Sequence, residues 1–596
     1  MDDLMLYRRT KMVCTVGPAV QTPALMENLV RAGMNVARFN FSHGDHDYHQ
    51  HMIQLVRQAS AEVGMPVALL ADTQGPEIRT GDVANGEPIR LEAGKHITLT
   101  TEHVPGTERL LSISYKKLPS EVKKGTRILI ADGLVELEVL RSDVTRIECL
   151  IHSNGIIGAR KNVNVIGVKT GLPAVSEKDI ADLGFAMREN MDFVAASFVR
   201  RAADIHEIQK VLERHRRPDR TMPLIIAKIE DGEGLANIDE IIRVSSGIMV
   251  ARGDLGVQLP PEEIPLIQKT VIHKCNDAGK VVIVATQMLD SMIRNPLPTR
   301  AEVADVANAI LDGADAVMLS GETAQGRYPV ETAAMMHRIA IEAENSPYRP
   351  VCGAHQFHTG NMCDGIAQSA VLTAANIQAS AIVAPTYGGN TPRLLSRFRP
   401  ECPIVAVTPF DAVQRRLMLC RGVYPLICPI VSDSDTMLRQ AASEARDGGF
   451  LKPFDKFVVA AGIPIGSPIM LNSVRVEMLA DVVAHGQRGF GGRTQGTVIR
   501  AGTAAEAKKL LGADKRAYIL VIEYLDESFV PFMPRISGYV AAHFSSMSFE
   551  MLSRENPSLV GIAGALGVYE AVSNGDDIIL DGQEKLVLRA ASVISK

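Results

Sequence analysis

Short apolar runs punctuate the first 345 positions, and eight of them finish in polar or functional-looking groups. They are "KMVCTVG" at 11–17, "VARFNFS" at 36–42, "VALLADT" at 67–73, "FVAASFV" at 193–199, "LIIAKIE" at 224–230, "GIMVARGD" at 247–254, "VVIVATQM" at 281–288 and "AVMLSGE" at 316–322. A strand buried on both faces reads as such a run of Val, Ile, Leu and Ala, so charges at its end must stand at the rim of a sheet or barrel. Helix-patterned segments lie between most of these runs. Eight strands alternating with helices predict an α/β fold, a closed (β/α)8 TIM barrel whose chemistry sits at the carboxyl rim. In "PTRAEVADVANAILDGAD" the pair Thr299 and Glu302 predicts a capping box. Val303, Val306, Ala307, Ile310 and Leu311 then share one helical face, and Gly313 suits the carboxyl-terminal cap.

The spacing breaks between the third and fourth runs. There "GEPIRLEAGKHITLTTE", "TRILIADGLVELEVL" and "TRIECLIHSN" alternate apolar and polar residues between turn signals. The pattern predicts a barrel domain over 1–73 and 171–345, with an inserted β-rich domain over 74–170 across the barrel mouth. An α/β C domain follows at 346–485, with strands such as "AIVAPTY", "PIVAVTP" and "KFVVAAG", and a small extra α/β domain at 490–596. The glycine-rich "GQRGFGGRTQG" between them is the linker candidate.

At 596 residues the chain exceeds one hydrophobic core, which agrees with several domains. A net charge of -5 gives no electrostatic reason to expect nucleic acid or an anionic membrane as partner. No run has transmembrane length, "MDDLMLYRRTKMVC" lacks a signal-peptide core, and eight cysteines are scattered without metal-ligand spacing. A cytoplasmic enzyme is the expectation.

The strand ends carry the candidate chemistry. Period-two alternation places Arg38, Asn40 and Ser42 on one face. Arg38 offers a fork for phosphate oxygens, while Asn40 and Ser42 supply oxygen ligands for a hard cation. Asp72 and Thr73 could complete that oxygen site, and Arg79 follows in the turn leaving the barrel. Lys228 and Glu230 share a face of one strand, and Asp254 closes the next. Two carboxylates from neighbouring strands suit Mg²⁺, and a lysine beside them could stabilise charge on a transferring phosphoryl group. Thr286 adds a hydroxyl at the same rim. Plain strand capping and a structural Lys228–Glu230 salt bridge stand beside these readings. The inventory fits a small phosphorylated anion held by cations, and it suits enolate chemistry on a keto acid equally well.

"TKMVCTVGPA", "GMNVARFNFSHG", "DTQGPEIRTG", "LPAVSEKD", "AKIEDGEGLANIDEI", "ARGDLGVQLP", "ATQMLDSM", "PTRAEVADVANAILDGADAVMLSGETAQGRYPVE" and "TPRLLSRFRP" together resemble the motifs of the pyruvate kinase family, in that family's order over about residues 8–485. The resemblance implies a catalytic barrel (A) domain, the insertion over 74–170 as a small β-barrel lid, and a regulatory C domain, in a homotetramer that transfers the phosphoryl group of phosphoenolpyruvate to ADP with Mg²⁺ (or Mn²⁺) and K⁺. It implies Arg38 as the substrate-phosphate contact, and Asn40, Ser42, Asp72 and Thr73 as K⁺ ligands. Glu230 and Asp254 become the Mg²⁺ ligands, and Lys228 spans the transferring phosphoryl. Thr286 with the backbone of Gly253 and Asp254 becomes the keto-acid carboxylate pocket. Asn40, Phe41, Ser42, His43, Arg79 and Lys161 become nucleotide contacts.

Some positions depart from the family pattern. Gln74 stands where the family commonly has lysine, and Gln258 replaces a usual glutamate. Glu77, which in the family goes with dependence on K⁺, is present. In the C domain "AGIPIGSPIMLNSVRV" differs from the usual pattern, while Gly388, Gly389, Thr391 and Arg393 still suit an effector phosphate. The tail resembles the phosphohistidine domain of phosphoenolpyruvate-utilising enzymes. Met547 or Ser548 falls where the acceptor histidine would be and His543 is out of register, so a structural or regulatory role is expected. A Mg²⁺-dependent lyase on the same barrel and a non-catalytic scaffold are the alternatives.

Overall fold

Eight parallel strands close a barrel in the computed structural model: β1 Lys11–Thr15, β2 Val36–Asn40, β3 Ala68–Asp72, β4 Phe193–Ala196, β5 Leu224–Ile229, β6 Gly247–Ala251, β7 Val281–Ala285 and β8 Ala316–Leu319. The structure describes residues 8–349, 361–452, 454–465, 470–511, 516–555 and 558–590. Each strand pairs in parallel with its neighbours in the chain, and β1 closes on β8 through Lys11 opposite Ala316. All eight runs are therefore strands; Arg38, Asn40, Asp72 and Lys228 lie within them, whereas Ser42, Thr73, Glu230, Asp254 and Thr286 come after them. Ser42 lies beyond β2, not on its face, and its amide donates to Asn40 Oδ1 at 3.1 Å. Asp254 does not close β6 either. The apolar run ends at Ala251, and "RGD" opens the helix Arg252–Gln258, which places Asp254 in a first helical turn.

The barrel interior is apolar, with Val13, Val36, Leu70, Ile226, Met249, Ile283 and Met318 in one cluster. Burying each such side chain contributes about 1.5–3 kcal/mol, whereas an unpaired charge there would cost several kcal/mol. Hence the charged groups gather where the strands end. Met418 and Leu419, from the segment after the barrel, join this cluster. A second cluster lies between strands and helices, where the predicted Thr299–Glu302 capping box starts the helix Arg300–Leu311 and Gly313 follows at φ 99°. Val306 and Ile310 of that helix are buried, with Val303, Ala307 and Leu311 packed against the core.

The insertion forms a six-stranded sheet in the order Val163–Val165, Arg127–Ile130, Val135–Ser142, Arg146–Ile151, His96–Thr100 and Leu110–Ser112, with a two-stranded pair beside it. Its stem is the antiparallel bridge Arg79–Asn162. Its own core includes Leu91, Leu99, Leu137 and Ile151.

The chain divides into two compact units, the first comprising 1–375, 383–437 and 460–473. After the barrel this unit carries the parallel pair Ile404–Thr408 and Val423–Ile427, with the helices Asn390–Arg397 and Asp411–Leu417. The second unit comprises 376–382, 438–459 and 474–596. Its eight-stranded sheet contains a parallel run of Arg493–Arg500, Tyr518–Ile522, Gly538–Ala541 and Val560–Ala563.

"GQRGFGGRTQG" is not a linker. Arg488–Phe490 pairs with Val560–Ala563, and the next strand, Arg493–Arg500, runs between two others. Its glycines answer to close packing: a Cβ at Gly489 would lie 2.2 Å from the Gly582 carbonyl oxygen. His543 stacks on Tyr524 with ring centroids 4.4 Å apart. The side chains of Met547 and Ser548, on which the acceptor-histidine reading turns, lie outside the described residues, as does Cys352. Among the described residues no helix is long and apolar enough to cross a membrane.

Candidate active site

Lys228 occupies the penultimate position of β5, opposite Met249 of β6, so its side chain leaves the apolar interior at the rim. Its Nζ lies 2.9 Å from Glu230 Oε1 and 3.1 Å from Asp72 Oδ1, and donates to Ser197 Oγ at 2.7 Å. Burial pushes the ammonium pKa down, but Asp72 and Glu230 more than offset this and the net direction is up. Asp72 takes a second cation on its other oxygen, from Arg38 Nε at 2.5 Å. Burial pushes Asp72 up, and the charges of Arg38 and Lys228 pull it below its usual value on balance. Arg38 also donates through Nη1 to Thr15 Oγ1 at 2.8 Å.

Glu230 is held on its other oxygen by the Phe198 amide at 2.5 Å. Phe198 adopts φ 54°, a left-handed conformation costing on the order of 1–3 kcal/mol for such a residue. That strain turns the amide toward the carboxylate. Asp254 faces Glu230 closely enough to share a hydrogen bond, and its carboxyl pKa is pushed up to about 7. Burial is the main cause and the Glu230 charge the next. A buried and a half-buried carboxylate pressed together in this way are suited to sharing a cation. Among the described residues no cluster of three or more His, Cys, Asp or Glu forms a metal site. A pair of carboxylates could serve an ion that takes one or two carboxylates and otherwise water and substrate oxygens.

On the next strand, Thr286 follows β7 at φ 68°, with Gln287 at 56°. Its hydroxyl donates to the Ala285 carbonyl at 2.6 Å and accepts from the Gly253 amide at 2.8 Å. A Cβ at Gly253 would stand 3.4 Å from that hydroxyl, an ordinary van der Waals contact. Arg252 donates to the Thr286 carbonyl at 2.8 Å and pairs with Asp305 at 2.7 Å, fixing the turn from behind.

Asn40 and Asp72 are register partners across β2 and β3, and Thr73 follows. Thr73 Oγ1 donates to the Ala195 carbonyl at 3.3 Å and accepts from the Ser197 amide at 3.3 Å. The four oxygen residues thus share one corner of the rim, with Ser42 on the loop. Phe41 is buried and its carbonyl accepts from Lys178 Nζ at 2.6 Å, whereas His43 is exposed. Arg79 and Lys161 meet at the stem of the inserted sheet, where Thr80 donates to the Lys161 carbonyl. Arg79 turns to Glu77 at 2.5 Å, and Gln74 donates to the same Glu77 oxygen at 3.2 Å. None of these contacts reaches the Lys228 cluster. Between stem and rim lies a cleft of about 410 Å³ lined by Glu77, Asn162 and Lys169 on one side and Phe198, Asp231 and Asp254 on the other.

Sequence reasoning missed three groups. Ser197 bridges Lys228, Asp72 and the Thr73 carbonyl. It is the first polar residue after the run at β4, which was the available signal. Thr15 is the last residue of β1 and anchors Arg38. Asp132 sits at a turn of the inserted sheet at φ 55°, beside Ala131 at 54°, and its charge is felt by Asp254.

Position at the carboxyl rim, paired cations and facing carboxylates define a TIM-barrel enzyme whose working tool is placed charge. The family model for the pyruvate kinase barrel domain matches residues 7–333, and that for the pyruvate kinase alpha/beta domain matches 364–477. The pyruvate kinase of Sporosarcina psychrophila is 43% identical over 595 residues, covering 98% of this chain and 100% of that protein. That of Geobacillus stearothermophilus is 44% identical over 584 residues, 97% of each. Among solved structures, a pyruvate kinase from Cryptosporidium parvum aligns with a TM-score of 0.75 at 38% identity, over 80% of this chain and 97% of that one. The chain belongs to the pyruvate kinase family.

Proposed function

We propose that the chain transfers the phosphoryl group of phosphoenolpyruvate to ADP, giving pyruvate and ATP, with Mg²⁺ at Glu230 and Asp254 and K⁺ at Asn40, Ser42, Asp72 and Thr73. The observation that carries the residue assignment is the Lys228 ammonium, fixed between Asp72 and Glu230 while Asp254 faces the same carboxylate. Phosphoryl transfer asks little covalent chemistry of the protein and much charge placement. Mg²⁺, when bound, neutralises charge on the phosphoryl and carboxylate oxygens. Lys228, held fully protonated by its two carboxylates, spans the migrating phosphoryl group and stabilises its equatorial oxygens. Arg38 holds the substrate phosphate, and the substrate carboxylate rests on Thr286 and the amides of Gly253 and Asp254. Arg79, Lys161, Asn40, Phe41, Ser42 and His43 contact the nucleotide, so the insertion over 74–170 acts as the lid that brings Arg79 and Lys161 to it. Enolpyruvate is protonated at carbon from the side of Thr286.

The same proposal extends to an allosteric C domain over 346–485, an extra domain over 490–596, a cytoplasmic homotetramer and a phosphorylated effector near Gly388, Gly389, Thr391 and Arg393. At that turn Arg393 donates to the Gly389 and Gly388 carbonyls at 3.1 and 3.2 Å, contacts an incoming phosphate must replace. A coupled assay for pyruvate, run with and without Mg²⁺ and K⁺, tests the reading. Pyruvate formation that requires ADP and both cations supports it, and carbon–carbon cleavage in place of ATP formation refutes it.

A further inference from the structure

Beneath the barrel, on the face away from the proposed active site, a narrow crevice opens between the start of β7 and the helix Asn390–Arg397. Asn276, Lys280, Arg393, Ser396, Arg397 and Arg399 line it. Its free volume is about 20 Å³, room for one water-sized sphere.

The charges around it do not balance. Arg399 pairs with Asp315 at 2.6 Å and Arg397 with Asp364 at 3.0 Å. Behind them Arg415 pairs with Asp192 at 3.0 Å, while Arg416 donates to the Met222 carbonyl. Lys280 donates to two backbone carbonyls, Ser245 at 2.6 Å and Arg243 at 3.5 Å. Arg393 donates to carbonyls of its own turn and to Asn390 Oδ1 at 2.9 Å. Six cations thus meet three carboxylates: Lys280, Arg393 and Arg416 have no carboxylate in these pairings. The Nε atoms of Arg399 and Arg416 are buried and make no hydrogen bond. Burial, and then the neighbouring Arg393 charge, lower the Lys280 pKa, the response of a cation that lacks a counter-charge. Lys280 and Arg393 are half-buried, and cations partly withdrawn from water beside other cations are costly unless an anion compensates them.

We propose that this crevice binds a single inorganic anion of halide size between Lys280 and Arg393. The anion fastens the foot of β7 to the helix Asn390–Arg397 by charge-assisted hydrogen bonds from both cations. Phosphate is too large for the volume, so the two ligands differ although Arg393 also borders the proposed effector-phosphate turn at Gly388 and Gly389.

Two measurements on the full-length protein test it. Crystals equilibrated with potassium bromide are expected to show an anomalous bromine peak within hydrogen-bond reach of Lys280 Nζ and the Arg393 guanidinium. A crevice without bromine under those conditions overturns the proposal. In solution at fixed K⁺ and ionic strength, replacing gluconate by chloride is expected to raise the unfolding midpoint saturably, by about 1–2 °C. Arg393→Gln and Lys280→Gln should each abolish the chloride effect, and Lys280→Gln does so with the turn at Gly388 and Gly389 untouched. Chloride dependence that persists in both variants contradicts a halide site.

Discussion

Lys228 and Glu230, two positions apart at the end of one strand, hold each other at 2.9 Å, and the same ammonium reaches Asp72 at 3.1 Å. Those contacts make Lys228 the hub of the rim. It has three oxygen partners, from Glu230, Asp72 and Ser197, and is the positive charge placed nearest the facing carboxylates. Lys228→Met removes that charge without changing the strand. Turnover is expected to fall by about 1,000-fold or more, since placed charge is the main catalytic resource. Phosphoenolpyruvate should still bind through Arg38. Steady-state kcat together with equilibrium titration of the substrate checks this, and near-normal turnover would remove Lys228 from the mechanism.

The facing carboxylates set a pH dependence. Asp254 in the metal-free protein titrates at about 7, mainly through burial and then the Glu230 charge. A divalent ion must displace that proton, so below pH 7 the apparent Mg²⁺ affinity is expected to fall about tenfold per pH unit. Above pH 7 it should level off. The stability sign follows from the raised carboxyl pKa. Between about pH 4 and 7 the folded state keeps a proton that the unfolded chain has lost, so this group makes the metal-free protein less stable as pH rises. Calorimetric Mg²⁺ titration in buffers of different ionisation enthalpy reads the released proton directly.

Thr286 carries both strain and a bond. Thr286→Ser keeps the hydroxyl that accepts from Gly253, whereas Thr286→Val leaves that amide without its partner. The penalty for such an unmet group is about 1–3 kcal/mol. The valine variant is therefore expected to lose about 5–150-fold in kcat/KM, with the serine variant close to the parent. Loss in the serine variant with the valine variant close to the parent would assign the effect to the side-chain methyl and not the hydroxyl.

How much of this was legible in the sequence depends on what each residue needs to be recognised. The barrel was legible because eight buried strands must be apolar, and Lys228, Glu230, Arg38 and Asp72 were legible because a charge ending such a run has nowhere to go but the rim. Strand ends were read too long. Alternation placed Ser42 on β2 and Asp254 on β6, but ladder pairing stops at Asn40 and Ala251. Ser197 and Thr15 carried only the weak signal of a hydroxyl at the end of an apolar run, and Asp132 gained its role only when the inserted sheet came to the barrel, information no local pattern holds. The glycines of "GQRGFGGRTQG" misled because the same residue serves flexible linkers and tightly packed strands. The Cβ clash at Gly489 shows which of the two applies.

Glu77 offers a test of the monovalent-cation site. It is held by Arg79 and Gln74 at the edge of the cleft. Glu77→Lys puts a fixed positive charge there in place of a negative one. Activity without added K⁺ is expected to rise about tenfold relative to the K⁺-saturated rate of the same variant. A K⁺ activation curve unchanged from the parent would show that Glu77 has no part in that requirement.

The most direct measurement is Mn²⁺ anomalous diffraction on crystals soaked with phosphoenolpyruvate. A single manganese peak is expected about 2.1 Å from one oxygen each of Glu230 and Asp254, with Lys228 on the opposite side of the bound phosphoryl group. A peak bound to neither carboxylate, or the two carboxylates turned apart around separate ions, would contradict the account.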